Sequence, residues 1–194
     1  MALASELTLS KTEVSQKIDL SQYFDGPISD DVKLQIGQAF VDRIVERSED
    51  GKDVNGKNLP SYSKSYRDSE DFSRFGKSAS DIDMTLRGNM LEGIDFETSG
   101  DDITIAVDDA DTKKAHGNIT GQEGKWKSKR EFFGITESEA KEIARDFKEE
   151  FKDDLSVNTG TKLLLDAFTT QLFSVQQNAF NNLFDVLFNG EDNG

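Results

Sequence analysis

Residues 94–107 alternate apolar and polar side chains on both sides of a short turn, and this pattern restricts the possible folds more than any other. Ile94 and Phe96 come before the turn, and Ile103, Ile105 and Val107 follow it. A period of two is typical of strands, and the Gly-Asp-Asp sequence between the two runs suits a hairpin. The segment therefore predicts two antiparallel strands.

A period of about four residues precedes the hairpin and predicts a helix over residues 31–47 that packs on the sheet. Its apolar positions are Val32, Ile36, Phe40 and Ile44. The break at Gly26-Pro27 places the helix cap near Ser29 or Asp30.

A second helix is predicted from Thr136, because Thr136 and Glu139 form the S/T-x-x-E capping box. Its inner face has five members: Ala140, Ile143, Ala144, Phe147 and Phe151.

The other segments up to residue 130 carry weaker patterns. Residues 7–20 alternate loosely, which indicates one or two edge strands or an extended arm. Residues 48–81 are a long polar stretch whose rings at Tyr62, Tyr66, Phe72 and Phe75 could hold it to the core or to a neighbour. Residues 86–94 fit a short helix, and residues 113–130 contain three glycines and are predicted as a loop.

The segment 162–188 has apolar residues that step by four, four, three, four, four and three positions, from Leu164 and Phe168 through Leu172 to Val186. This is the spacing of a helix–helix seam, and Phe180 and neighbouring phenylalanines broaden it. An apolar helix of this kind needs a cover.

These patterns predict an α+β fold, with a small antiparallel sheet packed with helices, an extended N-terminal arm and a long C-terminal helix. The predicted boundaries are residues 1–27 for the arm, 28–155 for the core and 156–194 for the amphipathic helix.

Charge and composition exclude several classes of protein. The chain has a net charge of −15 and no cysteine. The acidity disfavours general nucleic-acid binding, and the absence of cysteine excludes disulfides and thiol catalysis. The N-terminal residues lack the pattern of a signal peptide, and no stretch is long and apolar enough for a membrane span. We therefore expect a protein made in the cytoplasm, with no membrane partner.

For each candidate metal-binding or catalytic group, a structural role is the better interpretation of the sequence. A calcium loop around Asp53 and Asn55 fails, because its twelfth position would be Tyr62 instead of an acid. The carboxylates at Asp81 and Asp83, and at Asp108, Asp109 and Asp111, suit caps and solvated turns in so acidic a chain.

His116 is the single histidine, and a lone loop histidine is more often structural than a general base. Lys125, Lys127 and Lys129 around Trp126 could bind phosphate, but an acidic neighbour suits them better. The sequence thus predicts no catalytic residue, no metal site and no cofactor.

Three stretches occur together, in this order: "DVNGKNLPSYSKSY" (53–66), "DMTLRGNMLEGI" (83–94) and "AHGNITGQEGKWKSKREFFGIT" (115–136). Together they resemble the tail-completion, or virion-morphogenesis, proteins of tailed bacteriophages, over roughly residues 30–150. The last stretch ends in the Arg-x-Phe-apolar-Gly motif of that family, here Arg130-Glu131-Phe132-Phe133-Gly134.

The resemblance implies a non-enzymatic virion protein of the phage neck that assembles as a ring, commonly six-fold, between the portal or connector and the tail. Its expected neighbours are head–tail connector, portal-adaptor, tail-tube or tail-terminator proteins, and DNA would pass through the lumen without specific binding. The N-terminal arm and the C-terminal helix are not features of the minimal family.

The adjacent rings of Phe132 and Phe133 allow two interpretations. In an extended segment neighbouring side chains face opposite ways, so that one ring would anchor the loop and the other would face a partner. Alternatively, both rings fold under the following helix.

Two other functions compete with the neck protein. An acidic inhibitor that imitates DNA would use the carboxylates, but Lys interleaves with Asp and Glu over residues 137–154. A metal hydrolase lacks a convincing set of residues. The predicted partner-interface residues are Tyr62, Tyr66, Trp126, Arg130, Phe132, Phe133, Phe168, Leu172, Phe180 and Phe184.

Overall fold

The computed structural model describes residues 2–62, 64–74, 89–121 and 128–151. By its internal contacts the chain divides into two units, Met1–Glu150 and Phe151–Gly194. Apart from Phe151, every described residue belongs to the first unit. The predicted C-terminal helix over residues 162–188 lies outside the described residues.

The sheet of the described unit has four antiparallel strands in the order β1-β2-β4-β3. The strands are β1 (Leu7–Leu9), β2 (Val14–Asp19), β3 (Ile94–Ser99) and β4 (Asp102–Val107). The helices are α1 (Asp30–Glu49), α2 (Lys64–Arg67), α3 (Glu70–Arg74), α4 (Asn89–Glu92), α5 (Thr112–Thr120) and α6 (Glu137–Glu150). This arrangement confirms the predicted α+β class with a small antiparallel sheet.

The core lies between one face of the sheet and the helices. The register places Ile18 beside Ile103 and Gln16 beside Ile105, and all four side chains are buried. α1 packs across β3 and β4, and α6 packs against α1. α1 approaches the sheet closely at Gly37, because a Cβ atom there would lie 2.2 Å from the Phe96 ring.

The first residues of the chain belong to the sheet. β1 forms one edge, and β2 lies in the interior between β1 and β4. Of the two predictions for residues 7–20, strands or an arm, the structure has strands, but β2 is not the edge strand that the weak alternation suggested. Its burial is explained by residues 130–136, whose Ile135 pairs with the Gln16 side chain of β2.

The predicted hairpin is confirmed as β3 and β4, joined by a turn at Gly100 with φ of +61°. Glycine favours this left-handed conformation because it has no Cβ. Lys33 of α1 holds the turn, since its Nζ donates to the Gly100 carbonyl at 2.7 Å and lies 3.5 Å from Asp101.

Both predicted helix starts are also confirmed. Ser29 caps α1 by accepting a hydrogen bond from the Val32 N–H at 3.4 Å. At α6 the Glu139 carboxylate accepts from the Thr136 N–H at 2.9 Å, and the Thr136 hydroxyl accepts from the Glu139 N–H at 3.3 Å. Ala140, Ile143 and Ala144 of the predicted inner face are buried, whereas Phe147 and Phe151 are half-buried.

The prediction of a continuous loop over residues 113–130 is wrong, because α5 occupies Thr112–Thr120. Burial of Ala115 and Ile119 stabilises this helix. It outweighs the cost of about 1 kcal/mol of a glycine in a helix interior, here Gly117. Gly121 ends α5 with φ of +66° and donates its N–H to the Gly117 carbonyl.

The long polar stretch contains α2 and α3, and α4 lies within the short helix predicted over residues 86–94. Residues 75–88 are outside the described ranges, including Phe75, Asp81 and Asp83. Among the helices that the structure describes, none is long and apolar enough to cross a lipid bilayer.

Candidate interaction site around Arg130

Arg130 lies where three segments meet, and its side chain is 5% exposed. Its Nη1 donates to the Asn118 side-chain oxygen of α5, and its Nη2 donates to the Pro60 carbonyl, both at 3.4 Å. The backbone N–H of Arg130 also donates to the Asn118 carbonyl at 2.7 Å. Arg130 therefore fixes the chain before residue 62 and the end of α5 to the segment 128–131.

An aromatic cluster adjoins the Arg130 guanidinium. The guanidinium carbon lies 5.7 Å from the centre of the Tyr62 ring, within the range of a cation–π contact. Tyr62, Tyr66 and Phe72 pack edge to face, with centroid distances between 5.2 and 5.7 Å. Burial lowers the pKa of the Arg130 guanidinium, and Tyr62 acts in the opposite direction.

The aromatic cluster holds α2 and α3 to the body of the subunit. This is the first of the two roles predicted for these rings, contact with the core or with a neighbour. Phe72 is buried, whereas Tyr62 and Tyr66 are half-buried. The two tyrosines therefore still present part of their rings at the surface, as the interface prediction requires.

The prediction that Phe132 or Phe133 faces a partner is wrong, because both rings are buried and are 0% and 1% exposed. The segment is not an extended strand: the Phe132 N–H donates to the Arg130 carbonyl at 2.9 Å, which bends the chain between them. The two rings meet edge to face at 6.4 Å. Arg130, also predicted as a partner contact, is 5% exposed and contacts Asn118 and Pro60 within the subunit.

Two buried side chains that the sequence interpretation missed hold residues 130–136 in place. Arg47 of α1 donates from Nη2 to the carbonyls of Phe132 at 3.0 Å and Gly134 at 2.7 Å. Gln16 of β2 accepts from the Ile135 N–H at 2.7 Å and donates to the Ile135 carbonyl at 3.1 Å. Gln16 thus pairs with Ile135 as a neighbouring strand would.

Sequence signals for these two residues exist but are weak. Arg47 lies three residues after Ile44, on the apolar stripe of the predicted helix, where a charge needs a partner. Gln16 stands among the alternating positions of residues 14–18, on the apolar side. A polar residue at an apolar position is therefore the signal to look for.

The turn at residues 51–58 has Gly51 and Gly56 at positive φ, as the glycine-turn interpretation predicted, and the Asp53 carboxylate holds it together. Asp53 accepts hydrogen bonds from the N–H groups of Asn55 and Lys57, both at 2.8 Å. Val54 donates its N–H to the Glu131 carbonyl at 2.7 Å, which joins this turn to the segment after Arg130.

His116 and the carboxylates of Asp108 and Asp111 are the remaining candidate groups that the described ranges place in detail. His116 lies on α5, not in a loop, and is 8% exposed. Asp108 accepts a hydrogen bond from the Asp111 N–H at 2.9 Å, as a turn residue does. Within the part of the chain that the structure describes, no three His, Asp or Glu residues are grouped as metal ligands.

Of the predicted interface residues, the structure brings together Tyr62, Tyr66 and Arg130, and places Phe132 and Phe133 in the adjoining core. The other five lie outside the described residues: Trp126, Phe168, Leu172, Phe180 and Phe184.

A comparison of the chain with protein-family models, with curated proteins and with solved structures finds no significant match.

Proposed function

We propose that this chain is a structural subunit of a tailed-phage virion, a neck or tail-completion protein that assembles as a ring between the portal or connector and the tail. One observation carries the proposal. Of the three stretches that resemble that family, the first and the third are joined where Arg130 contacts Pro60 and Tyr62 and where Val54 donates to the Glu131 carbonyl. The first and the third stretch thus contribute residues to the same set of contacts.

The contacts around Arg130 suit a structural role. Val54, Asn118 and Arg47 contact the segment 130–136 through its backbone, and these contacts fix its irregular conformation. Half-buried tyrosines beside long connecting segments are the kind of surface that protein partners cover. Enzymatic activity is not part of the proposal.

The C-terminal pattern gives the proposal its second support. The repeated spacing of four, four and three between apolar residues over 162–188 is that of a helix that packs on another helix. In the proposed assembly this segment lies against a sister copy or an adjacent neck protein. The net charge of −15 would allow DNA to pass a lumen lined by carboxylates without adhering, because like charges repel.

The test is the mass of the purified protein in solution, measured by native mass spectrometry for the full chain and for a chain that ends before Lys162. We expect the full chain to form a closed oligomer and the truncated chain to dissociate. In the phage that encodes the protein, loss of the gene should give filled heads without attached tails.

A full-length chain that stays monomeric and inhibits a DNA-binding enzyme would instead favour the DNA-mimic function. Normal tailed particles assembled without the gene product would refute the neck function outright.

A further inference from the structure

Residues 2–9, here named the N-terminal segment, pair with two parts of the subunit. The second half of this segment is β1, which pairs with β2. The first half pairs with residues 135–137, where the N–H of Ala4 donates to the Ile135 carbonyl at 2.9 Å. Residues 14–16 and 135–137 therefore form one continuous edge, here named the acceptor edge, and the N-terminal segment lies along it.

The acceptor edge depends on this strand. Ala2 accepts a hydrogen bond at 3.0 Å from the N–H of Glu137, the first residue of α6. The first N–H groups of a helix have no acceptor within the helix, so this one is satisfied by the N-terminal segment. A Cβ atom at Gly134 would lie 3.2 Å from the Leu3 side chain and 3.5 Å from the Leu7 side chain, so both leucines lie close over this glycine. The edge thus fits a strand with leucines at these two positions.

The N-terminal segment itself is weakly held. None of its residues is buried, and Leu9 is 37% exposed. The hydrogen bond that the Gln16 side chain donates to the Ser5 carbonyl is long, at 3.4 Å. Segments with few buried contacts open at a lower free energy than the core does. The N-terminal segment can therefore leave the acceptor edge while the rest of the subunit remains folded.

The connection between β1 and β2 does little to keep the segment in place. It consists of residues 10–13, and the Ser10 N–H donates to the Glu13 carbonyl at 2.7 Å. None of these residues is glycine or has a positive φ, the conformation by which the tightest hairpin turns match the twist of their strands. Short connections of this kind favour the exchange of a strand between copies. Four extended residues span about 13 Å, which is enough to direct the segment away from its own β2.

We propose that, in the assembled protein, the N-terminal segment of each copy lies on the acceptor edge of the next copy. A sister copy is the occupant because it carries the same strand that the structure shows on this edge, with the same leucines and backbone partners. The closed and the exchanged arrangement share these contacts and differ mainly in the connection at residues 10–13.

The exchange also gives the assembly a direction. Each copy donates one strand and accepts another, which is a head-to-tail contact, and such contacts close into a ring when the rotation between copies allows. The inference rests on the proposed function in one respect, the association of copies, and it names the segment that joins them.

The absence of cysteine from the chain makes the exchange directly testable. Thr8 and Ser15 are opposite each other in β1 and β2, at a spacing that a disulfide can bridge. Full-length Thr8→Cys and Ser15→Cys single variants are co-expressed, purified as the oligomer and oxidised mildly. Exchange should give linked pairs of chains, because the thiol at position 8 of one copy then lies beside the thiol at position 15 of the next. Each single variant alone should give no linked pairs.

The double variant Thr8→Cys/Ser15→Cys is the positive control for the disulfide. In the oligomer it should give a ladder of multimers that reducing agent resolves. After dilution to monomers it should link within one chain instead, because the segment returns to its own acceptor edge.

A second experiment strengthens the closed turn, with sedimentation velocity as the readout. Lys11→Asn/Thr12→Gly introduces the sequence that most favours a tight hairpin turn, so it should hold β1 on its own chain and weaken the association about tenfold. Lys11→Ala/Thr12→Ala is the matched control, since it changes the same two positions without favouring positive φ, and it should leave the association unchanged. Equal association of the two variants would overturn the exchange.

The outcomes separate this inference from the proposed function. A wild-type chain that remains monomeric overturns both. An oligomer in which the double variant links only within single chains, or in which Thr8→Cys alone links efficiently, overturns the exchange and leaves ring assembly intact. An oligomer in which the two thiols of the double variant stay reduced also overturns it, because a strand other than that of a sister copy then occupies the acceptor edge.

Discussion

Arg47 and Glu139 form a buried ion pair, with Arg47 Nη1 at 2.5 Å from Glu139 Oε1. The other oxygen of the same carboxylate accepts from the N–H of Thr136 and so caps α6. Because Arg47 also holds two carbonyls of residues 132–134, one guanidinium connects α1, the irregular segment and the start of α6. These elements should therefore lose stability together.

Arg47→Met should lower the free energy of unfolding by about 3 kcal/mol, because it leaves a buried carboxylate and two carbonyls without their donor. Urea unfolding measures the change. The control is Arg43→Met, which removes an ion pair between two half-exposed side chains. In this pair Arg43 Nη2 lies 3.4 Å from Glu142 Oε1. It should cost less than about 1 kcal/mol. Equal losses in the two variants would contradict the assigned role of Arg47.

Gln16→Leu should destabilise the subunit by about 2 kcal/mol, since the buried N–H of Ile135 loses its acceptor. Leucine keeps the approximate volume, so the loss reports on the hydrogen bonds. Gln38→Leu is the control, because Gln38 bonds to Asp42 on the exposed surface of α1. Hydrogen exchange of the Ile135 amide should also accelerate in Gln16→Leu and not in the control. An unchanged exchange rate would remove Gln16 from this role.

Gly37→Ala should destabilise the protein by about 1–3 kcal/mol although alanine favours helices, because its Cβ would lie 2.2 Å from the Phe96 ring. Phe96→Leu relieves the overlap at the cost of some buried area. In a double-mutant cycle, Gly37→Ala should therefore cost markedly less in the Phe96→Leu background. Additive effects would mean that the ring does not rest on Gly37.

The contribution of Asp19 to stability should depend on pH. Hydrogen bonds from the Ser21 hydroxyl and N–H hold the pKa of the Asp19 carboxyl below its ordinary value. A lowered pKa in the folded state contributes stability above the unfolded pKa of about 3.9, and this contribution is lost as the pH falls through the folded value. The difference in stability between wild type and Asp19→Asn should therefore shrink on acidification. Urea unfolding at neutral and acidic pH measures it, and a difference that grows toward low pH would refute the assignment.

The sequence predicts the regular elements well because local rules determine them. The period of four around Ile36, the capping box at Thr136 and the alternation around Ile105 each depend on neighbouring residues. Helix α5 was missed because Gly117 lowers local helix propensity, while the burial that stabilises the helix is a tertiary effect.

The interaction site around Arg130 could be predicted only in part, because tertiary contacts determine which of its rings are buried. Tyr62 and Tyr66 stand out in a polar stretch and do lie at the surface. Phe132 and Phe133 stand out equally, but the alternation rule applies to strands, and the bend from Phe132 to Arg130 places both rings inside. Which rings are covered depends on Arg47 and Gln16, whose contacts connect residues far apart in the sequence.

The pairing of Gln16 with Ile135 has a consequence for the order in which the subunit matures on the ribosome. The two residues are 119 positions apart. At the usual elongation rate of about 5–20 residues per second, an interval of roughly 6–24 s separates their synthesis. During that interval the side-chain amide of Gln16 lacks its final partner, Ile135. The backbone N–H of Ala4, which donates to the Ile135 carbonyl in the folded subunit, lacks it too. Neither contact can form in the nascent chain before residue 135 has been synthesised.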